Sequence, residues 1–414
     1  MIFDIFKIAF RNVLRNKRRS ILNILSFSVC VLTILYGFGL LKGQFDAMFE
    51  KMINIKAGHL KIYNKNFTDE KRTLPLDLNI KNPQEVINAI KGIPHFKYAS
   101  PRILHPGIVS NGRKKVNVII HGVDFDTEKN IVITFNSING DMPSMDSAQV
   151  LIGKKLADIL EIKKGDNILL YSQTLYNANN LVDATISGLY SIGFDAMEKI
   201  DFYIPYNFAQ EFFDMKDKAT EIIVRLDKTE NVQVAKKYID DIIKRKFPEL
   251  VVLDWKEENP ELIETARVKY RTFSFMAMIL LFLSFFIIMN TMTMSVIERT
   301  PEIGTLRAIG FNRNQILMMF LSEAFLLSVF GAIVGFIISA PLIYYLNVYG
   351  IQLDPQAYTG YNLPMDSSIK AINRFTDWIY AVIICVVAGI SGAILPAIRA
   401  SRINIVKSLQ KGVR

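Results

Sequence analysis

Side chains able to do covalent or metal chemistry are few in this chain and poorly spaced for it. The four histidines, His59, His95, His105 and His121, are scattered, and no two stand four residues apart as a helical metal pair would. Cys30 and Cys385 both lie in long apolar stretches. No Gly-x-x-x-x-Gly-Lys-Ser/Thr loop is present to cradle nucleotide phosphates. No catalytic residue, metal ligand or cofactor site is therefore expected here, and the chain is not expected to be an enzyme. What stands out instead is Glu298-Arg299-Thr300-Pro301-Glu302-Ile303-Gly304-Thr305-Leu306-Arg307-Ala308-Ile309-Gly310, where charges, a proline and two glycines follow helix-boundary rules.

Thr300 is suited to cap a helix, Pro301 to its first position and Glu302 to the positive end of its dipole. Gly310 is suited to end it in a left-handed conformation. A helix of about two turns is expected. Gly304 in its middle costs about 1 kcal/mol relative to alanine, and close approach of another backbone would account for it.

The elements that must position this helix are apolar. Half of the 414 residues are hydrophobic, and the excess is concentrated in four long stretches: 20–41, 272–297, 315–346 and 378–398. Roughly 20 apolar residues cross a bilayer as helix, and a soluble core would need each stretch to be buried on every face. Four membrane spans are the reading. The net charge of +10 is unevenly placed. Residues 1–20 carry six bases and one acid, 399–414 carry five bases and no acid, and 298–314 carry three bases and two acids. Basic flanks stay cytoplasmic, so both termini and the 298–314 loop are expected inside, in a multi-pass protein of the cell inner (cytoplasmic) membrane. The external parts are then 42–271 and the 347–377 loop. A basic patch on a folded domain, which nucleic-acid binding would require, is absent from this pattern. The long basic leader, and the lack of a small-x-small cleavage site, favour a retained anchor over a signal peptide.

Residues 1–19 are expected to hold an amphipathic cytoplasmic helix, with Phe3, Phe6, Phe10, Val13 and Leu14 on one face and Asp4, Lys7, Arg11, Arg15 and Arg18 on another. Such a helix can lie in the headgroup layer. Glu323 is the single acid of the third stretch. An intramembrane acid is a functional hypothesis by default; near the cytoplasmic end, pairing with a nearby base is expected. Gly331 and Gly335, and Ala388 and Gly392, have the small-x-x-x-small spacing of close helix packing.

The external segment lacks cysteine, so its own core must hold it together. It alternates strand-like and helix-like stretches. His59-Leu60-Lys61-Ile62-Tyr63 alternates as a half-buried strand. Pro83 opens a helical run to Lys91, and Asn111-Gly112 marks a hairpin between Ile108-Val109 and a strand from Val116 to His121. A strand over 221–226, a helix over 232–246 and a strand over 250–253 follow. Residues 124–215 read as an inserted, mainly β subdomain. Residues 261–271 look helical and run without a break into the second span, which suggests a rigid stalk.

The 298–310 run resembles a hallmark of the FtsX-like permeases of the ABC superfamily, Glu-Arg-x-x-Glu-Ile-Gly-x-Leu-Arg-Ala-x-Gly, matched at Glu298, Arg299, Glu302, Ile303, Gly304, Leu306, Arg307, Ala308 and Gly310. A second hallmark, Pro-Ala-x-Arg-Ala after the last span, is matched by Pro396, Ala397, Arg399 and Ala400. The resemblance covers the whole chain. It implies an α-helical membrane protein with four transmembrane helices plus a large α/β periplasmic domain, a porter-like α/β subdomain carrying the inserted β subdomain. It makes 298–310 a coupling helix docked on a cytoplasmic ABC ATPase dimer. ATP and Mg would then be bound by that partner, a separate subunit, since no phosphate loop is found here.

Within the family, the Arg11-Asn12-x-x-Arg15-Asn16-x-Arg18-Arg19 leader and Gly58-His59-Leu60 are similar to the lipoprotein-releasing permeases LolC and LolE. That likeness implies a second permease copy or paralogue, membrane lipid and lipoprotein as substrate, and a periplasmic lipoprotein carrier. Acyl chains would enter a cavity between the first two spans, with Phe27, Tyr36, Phe38, Phe282, Phe286 and Met289 as candidate lining. A lipid-facing surface explains the same composition. The carrier hook would fall near Ser172, Gln173, Leu175, Tyr176 and Asn177, in a hairpin shorter than the family's and without its proline-containing tip. Two other functions compete. One is a MacB-like efflux permease for small molecules or peptides, which usually carries its ATPase on the same chain. The other is an FtsX-like signalling protein controlling cell-wall hydrolases, whose external domain is usually smaller.

Overall fold

Hydropathy dictates the first architectural feature of the computed structural model, which describes residues 2–67, 73–352 and 368–404. Four helices are long and apolar enough to cross a membrane: Lys17–Lys56 (its last turn π-helical), Pro260–Glu298, Arg313–Val348 and Phe375–Ser401. We number the principal helices α1 (Ile2–Arg15), α2 (Lys17–Met52), α3 (Pro83–Ile90), α4 (Lys154–Leu160), α5 (Tyr206–Phe212), α6 (Val232–Lys246), α7 (Pro260–Glu298), α8 (Thr300–Ala308), α9 (Arg313–Val348) and α10 (Phe375–Ser401). The tail beyond 404 and residues 353–367 of the 347–377 loop lie outside the described residues.

The chain divides into two units, one of helices and one built mainly from residues 46–264. In the helical unit, α1, α2, α7, α9 and α10 share one apolar core that includes Phe27, Leu35, Ile288, Phe320 and Cys385. Small residues set the spacing. A Cβ on Gly331 would stand 2.5 Å from the Phe27 Cβ, and one on Gly335 would stand 2.8 Å from the Val31 Cβ. The Gly-x-x-x-Gly of α9 is thus the surface against which α2 packs. α7 is unbroken from Pro260 to Glu298.

The α/β unit is organised by one sheet. Its strands are β1 (Leu60–Asn64), β3 (Phe96–Ser110), β4 (Lys115–Val123), β5 (Ile138–Gly140), β6 (Gln149–Gly153), β7 (Asn167–Gln173), β8 (Asn179–Tyr190), β9 (Asp201–Pro205), β11 (Glu221–Leu226) and β12 (Leu250–Asp254); the short β2 (Ile80–Lys81) and β10 (Lys218–Ala219) pair separately. The order is β12-β1-β11-β3-β4-β9-β6-β8-β5, with β7 bridging β3 and β8. Leu60, Ile62, Ile222 and Val224 meet Val86, Ile90, Ala235 and Ile239, so α3 and α6 cover one face of the first strands. The 124–215 segment has its own core, in which Leu156 and Leu160 of α4 and Phe212 of α5 pack on Val150, Ile152 and Ile168.

One sequence expectation is given detail here and another changes. The strands of the 124–215 segment are not isolated from the flanking pieces: β9 pairs in parallel with β4, and β7 pairs with β3. The cause is length. β3 has 15 residues and β4 has 9, so they run past the first core and provide edges for the second. Nor is β1 half-buried, because Lys61 and Tyr63 are as enclosed as Leu60 and Ile62. Burial of a lysine is tolerable only with ionic partners. Lys61 Nζ lies 3.0 Å from Glu221 and 3.3 Å from Glu258. Next to it, Arg102 donates to both oxygens of Glu128 at 2.7 and 2.6 Å.

Candidate functional site: the elbow between the second and third spans

Glu298 ends α7 and Thr300 begins α8, with only Arg299 breaking the helix. Thr300 does not cap α8 as expected. Its hydroxyl donates back to the Val296 carbonyl at 2.9 Å, and Arg299 occupies the cap position without a side-chain cap bond. The backbone is so nearly continuous here (Arg299 N–H to Ser295 O, 3.1 Å) that the threonine finds a helical carbonyl before it finds a free N–H. The far end follows the local rules. Gly310 has φ +107°, and the Phe311 N–H returns to the Leu306 carbonyl at 3.0 Å. Asn312 and Gln315 then form the reciprocal capping box that starts α9.

Ionic contacts bind this elbow to the helices around it. Arg15 of α1 donates to both oxygens of Glu302, at 2.8 and 3.0 Å. Arg299 donates from Nε to Glu302 at 3.0 Å and from Nη1 to Glu323 of α9 at 3.2 Å. Arg19 of α2 pairs with Glu298. Arg307 donates to the Ser401 carbonyl of α10 at 2.9 Å. Partial burial raises the Glu302 carboxyl, but the hydrogen bonds from Arg15 and Arg299 outweigh it and hold the group below the usual range. Four helices therefore grip the elbow, and Glu323 does so out of solvent through Arg299.

The hallmark residues divide between two faces. Ile303 and Gly304 are buried, and Leu306 is half-buried. Arg299, Arg307 and Glu323 are spent on contacts within the chain. Glu298, Glu302, Ala308 and Gly310 remain at the surface. Sequence reasoning missed Ile309, which is 71 % exposed at the end of α8. Its only signal was a bulky apolar residue in a short polar loop.

A polar seam rises from the elbow between α2 and α7. Thr291 donates to the Asn23 Oδ1 at 3.1 Å, the Ser26 and Ser284 hydroxyls are 2.8 Å apart, and the Cys30 Sγ lies 3.0 Å from the Ser284 Oγ. Ser284, Thr291 and Glu298 recur every seven residues, the period of a coiled-coil stripe. Asn23 Nδ2 and Ser295 Oγ, on the same stripe, are buried without a hydrogen-bond partner.

The proposed cavity residues are not brought together. Phe27 is enclosed, its ring within reach of Gly389 and its Cβ against Gly331. Phe282 and Phe286 face outward and contact each other edge to face, with centroids 4.7 Å apart. Phe38 stacks on Tyr270, while Tyr36 and Met289 are half-buried. Helical periodicity separates them: Phe282 and Phe286 share an outer face of α7, whereas Phe27 lies on the α9-facing side of α2. The hook residues form a tight turn between β7 and β8. Ser172 is buried and donates to the Pro106 carbonyl at 2.6 Å. The Leu175 N–H donates to the Phe213 carbonyl at 2.9 Å, and Asn177 has φ +59°. Gln173 and Tyr176 project to the surface. Among the described residues no three His, Cys, Asp or Glu side chains converge as a metal site.

Comparison with known proteins agrees with this arrangement. The family model described as MacB-like periplasmic core domain matches residues 20–242, and that described as FtsX-like permease C-terminal matches 274–405. The macrolide export ATP-binding/permease protein MacB of Neisseria meningitidis is 24 % identical over 98 % of this chain, which spans 60 % of that protein's length. The uncharacterized ABC transporter permease YvrN of Bacillus subtilis is 24 % identical, with 98 % of both chains covered. The lipoprotein-releasing system transmembrane protein LolC of Buchnera aphidicola is 23 % identical over 78 % of each. The crystal structure of the periplasmic region of MacB from Actinobacillus actinomycetemcomitans aligns with 52 % of this chain and 97 % of its own, at TM-score 0.37 and 15 % identity. Four apolar helices, an α/β domain and an elbow between the second and third spans come together in one chain, which belongs to the FtsX-like ABC permease family with a MacB-like periplasmic core domain.

Proposed function

We propose that the chain works as the permease subunit of an ATP-driven complex, with α8 seated on a cytoplasmic ATPase that binds ATP and Mg. One observation carries this reading: the elbow from Glu298 to Arg307 is tied to α1, α2, α9 and α10, yet α8 presents Ile309 bare at its tip. An exposed isoleucine on a rigidly held helix suits insertion into a partner's groove. The basic flanks support a cytoplasmic position for this elbow and both termini. Force on α8 then reaches α7 across the single-residue break at Arg299, and α2 through the polar seam. Co-purification tests this. The chain should bring down a nucleotide-binding subunit, and full activity of the isolated chain would refute the reading.

For the cargo we infer lipoprotein release. The leader and the Gly58-His59-Leu60 segment support it, together with the LolC relative, which matches over most of both chains. Gln173, Tyr176 and Asn177, exposed at the hairpin, are the side chains available to a periplasmic carrier. A second reading, export in the manner of the MacB relatives, is favoured by their match across 98 % of this chain. Depletion separates the two. Lipoproteins stranded in the inner membrane support the first; normal sorting with raised macrolide sensitivity supports the second.

A further inference from the structure

α1 presents three faces, and only one is covered by protein. At 100° per residue, Ile5, Ala9 and Val13 form one row, and all three are buried in the core shared with α9. Phe6, Phe10 and Leu14 form a second apolar row that stays exposed, Leu14 by 57 %. Lys7 and Arg11 make a third row beside it, and Arg18 follows just past the bend at Asn16; all three are exposed. None of these three bases makes an ion pair among the described residues, apart from the weak pull between Lys7 and Asp4.

The second row continues a surface of known character. Phe6 and Phe10 approach Phe325 and Phe330 of α9, with centroids 6.3 and 6.1 Å apart. These rings lie on a helix long and apolar enough to span a bilayer, whose outer face continues through Ile333 and Ile337. Hydrocarbon is therefore what covers Phe6, Phe10 and Leu14. The bases beside them then lie at headgroup depth.

We propose that α1 and the first turn of α2 bind acidic phospholipid through Lys7, Arg11 and Arg18, making the composition of the leaflet an input to the elbow. α1 carries Arg15, which holds Glu302, so a headgroup that fixes α1 also fixes the arm gripping α8. The proposal rests on the permease reading only for which leaflet is met. Its test involves neither the ATPase nor transport, so the two can fail separately.

The full chain carrying Phe10→Trp is placed in nanodiscs of phosphatidylcholine and phosphatidylglycerol, with bromine on the acyl chains of one lipid or the other at equal mole fraction. The signal of the chain without this replacement, from Trp255 and Trp378, is subtracted. Brominated phosphatidylglycerol should quench several-fold more than brominated phosphatidylcholine. Replacing Lys7→Gln, Arg11→Gln and Arg18→Gln together should bring the two to parity, with up to about fivefold of preference lost per base. Raising salt to about 1 M, where the Debye length is about 3 Å, should do the same to the unsubstituted bases. Equal quenching at low salt, a preference that survives salt or the triple replacement, or quenching by neither lipid would overturn the proposal.

Discussion

Arg299 and Glu323, 24 residues apart in the chain, meet at 3.2 Å with both side chains out of solvent. This pair joins the elbow to the third span. A buried ion pair adds little over a well-packed apolar pair, but losing one member leaves an uncompensated charge. Glu323→Leu leaves Arg299 only the half-exposed Glu302, and should destabilise the helical unit by about 1–3 kcal/mol, read as a lower denaturant midpoint in detergent. The double replacement Arg299→Met with Glu323→Leu should recover most of that, since Glu302 keeps Arg15. A double variant no better than the single one would show that the pair does not act as a unit.

The two faces of α8 should respond differently. Ile309→Asp places a charge on the exposed tip, so thermal stability should hold while recovery of the ATPase in a pull-down falls at least tenfold. Gly304 is buried in the chain itself. Gly304→Leu should lower the melting temperature of the isolated permease, because overpacking typically costs about 1–3 kcal/mol. If Gly304→Leu leaves the melt unchanged and only the ATPase is lost, the glycine faces the partner instead.

What the sequence made legible, and what it hid, follows from the range of the interactions. Pro301 and Gly310 obey rules that act within a turn of backbone, so the elbow and its end were readable from composition alone. The four spans were readable because hydropathy sums over many residues. Thr300 escaped because two local bonds compete for one hydroxyl. Lys61 escaped because its partner Glu221 lies 160 residues away, and period-two alternation assigns a lone lysine to water. The enclosure of Phe27 is not legible because composition cannot tell a lipid face from a helix interface. The glycines that enclose it, Gly331 and Gly389, are on other helices.

The polar seam invites a lock. Cys30 Sγ stands 3.0 Å from the Ser284 hydroxyl, so Ser284→Cys sets a second sulfur opposite it, across α2 and α7. Oxidation should cross-link the two helices, seen as a shifted fragment after cleavage between them. If the seam must shear during turnover, the oxidised complex should lose most of its ATP-driven activity and regain it with reductant. Full activity in the cross-linked state would mean that α2 and α7 move as one body.

Acid should unfold the α/β unit in two stages. Burial, aided by Arg225, drops His59 to about 4, and the ring sits neutral with Nδ1 accepting from the Leu226 N–H at 3.1 Å and Nε2 3.1 Å from the Thr229 hydroxyl. A histidine depressed in the fold binds its proton more readily when unfolded. Its contribution is therefore complete above pH 6.5 and drains away as the pH falls towards 4. Burial opposes ionisation of Glu221, yet Lys61 and Arg102 hold it at about 2, below its ordinary 4.5. Its contribution is present above pH 4.5 and is lost on the way down to 2. A pH series of urea midpoints should show both windows. His59→Gln should flatten the upper one and leave the lower intact, because the Glu221 cluster does not involve the imidazole. An upper window that persists in His59→Gln would assign it to another group.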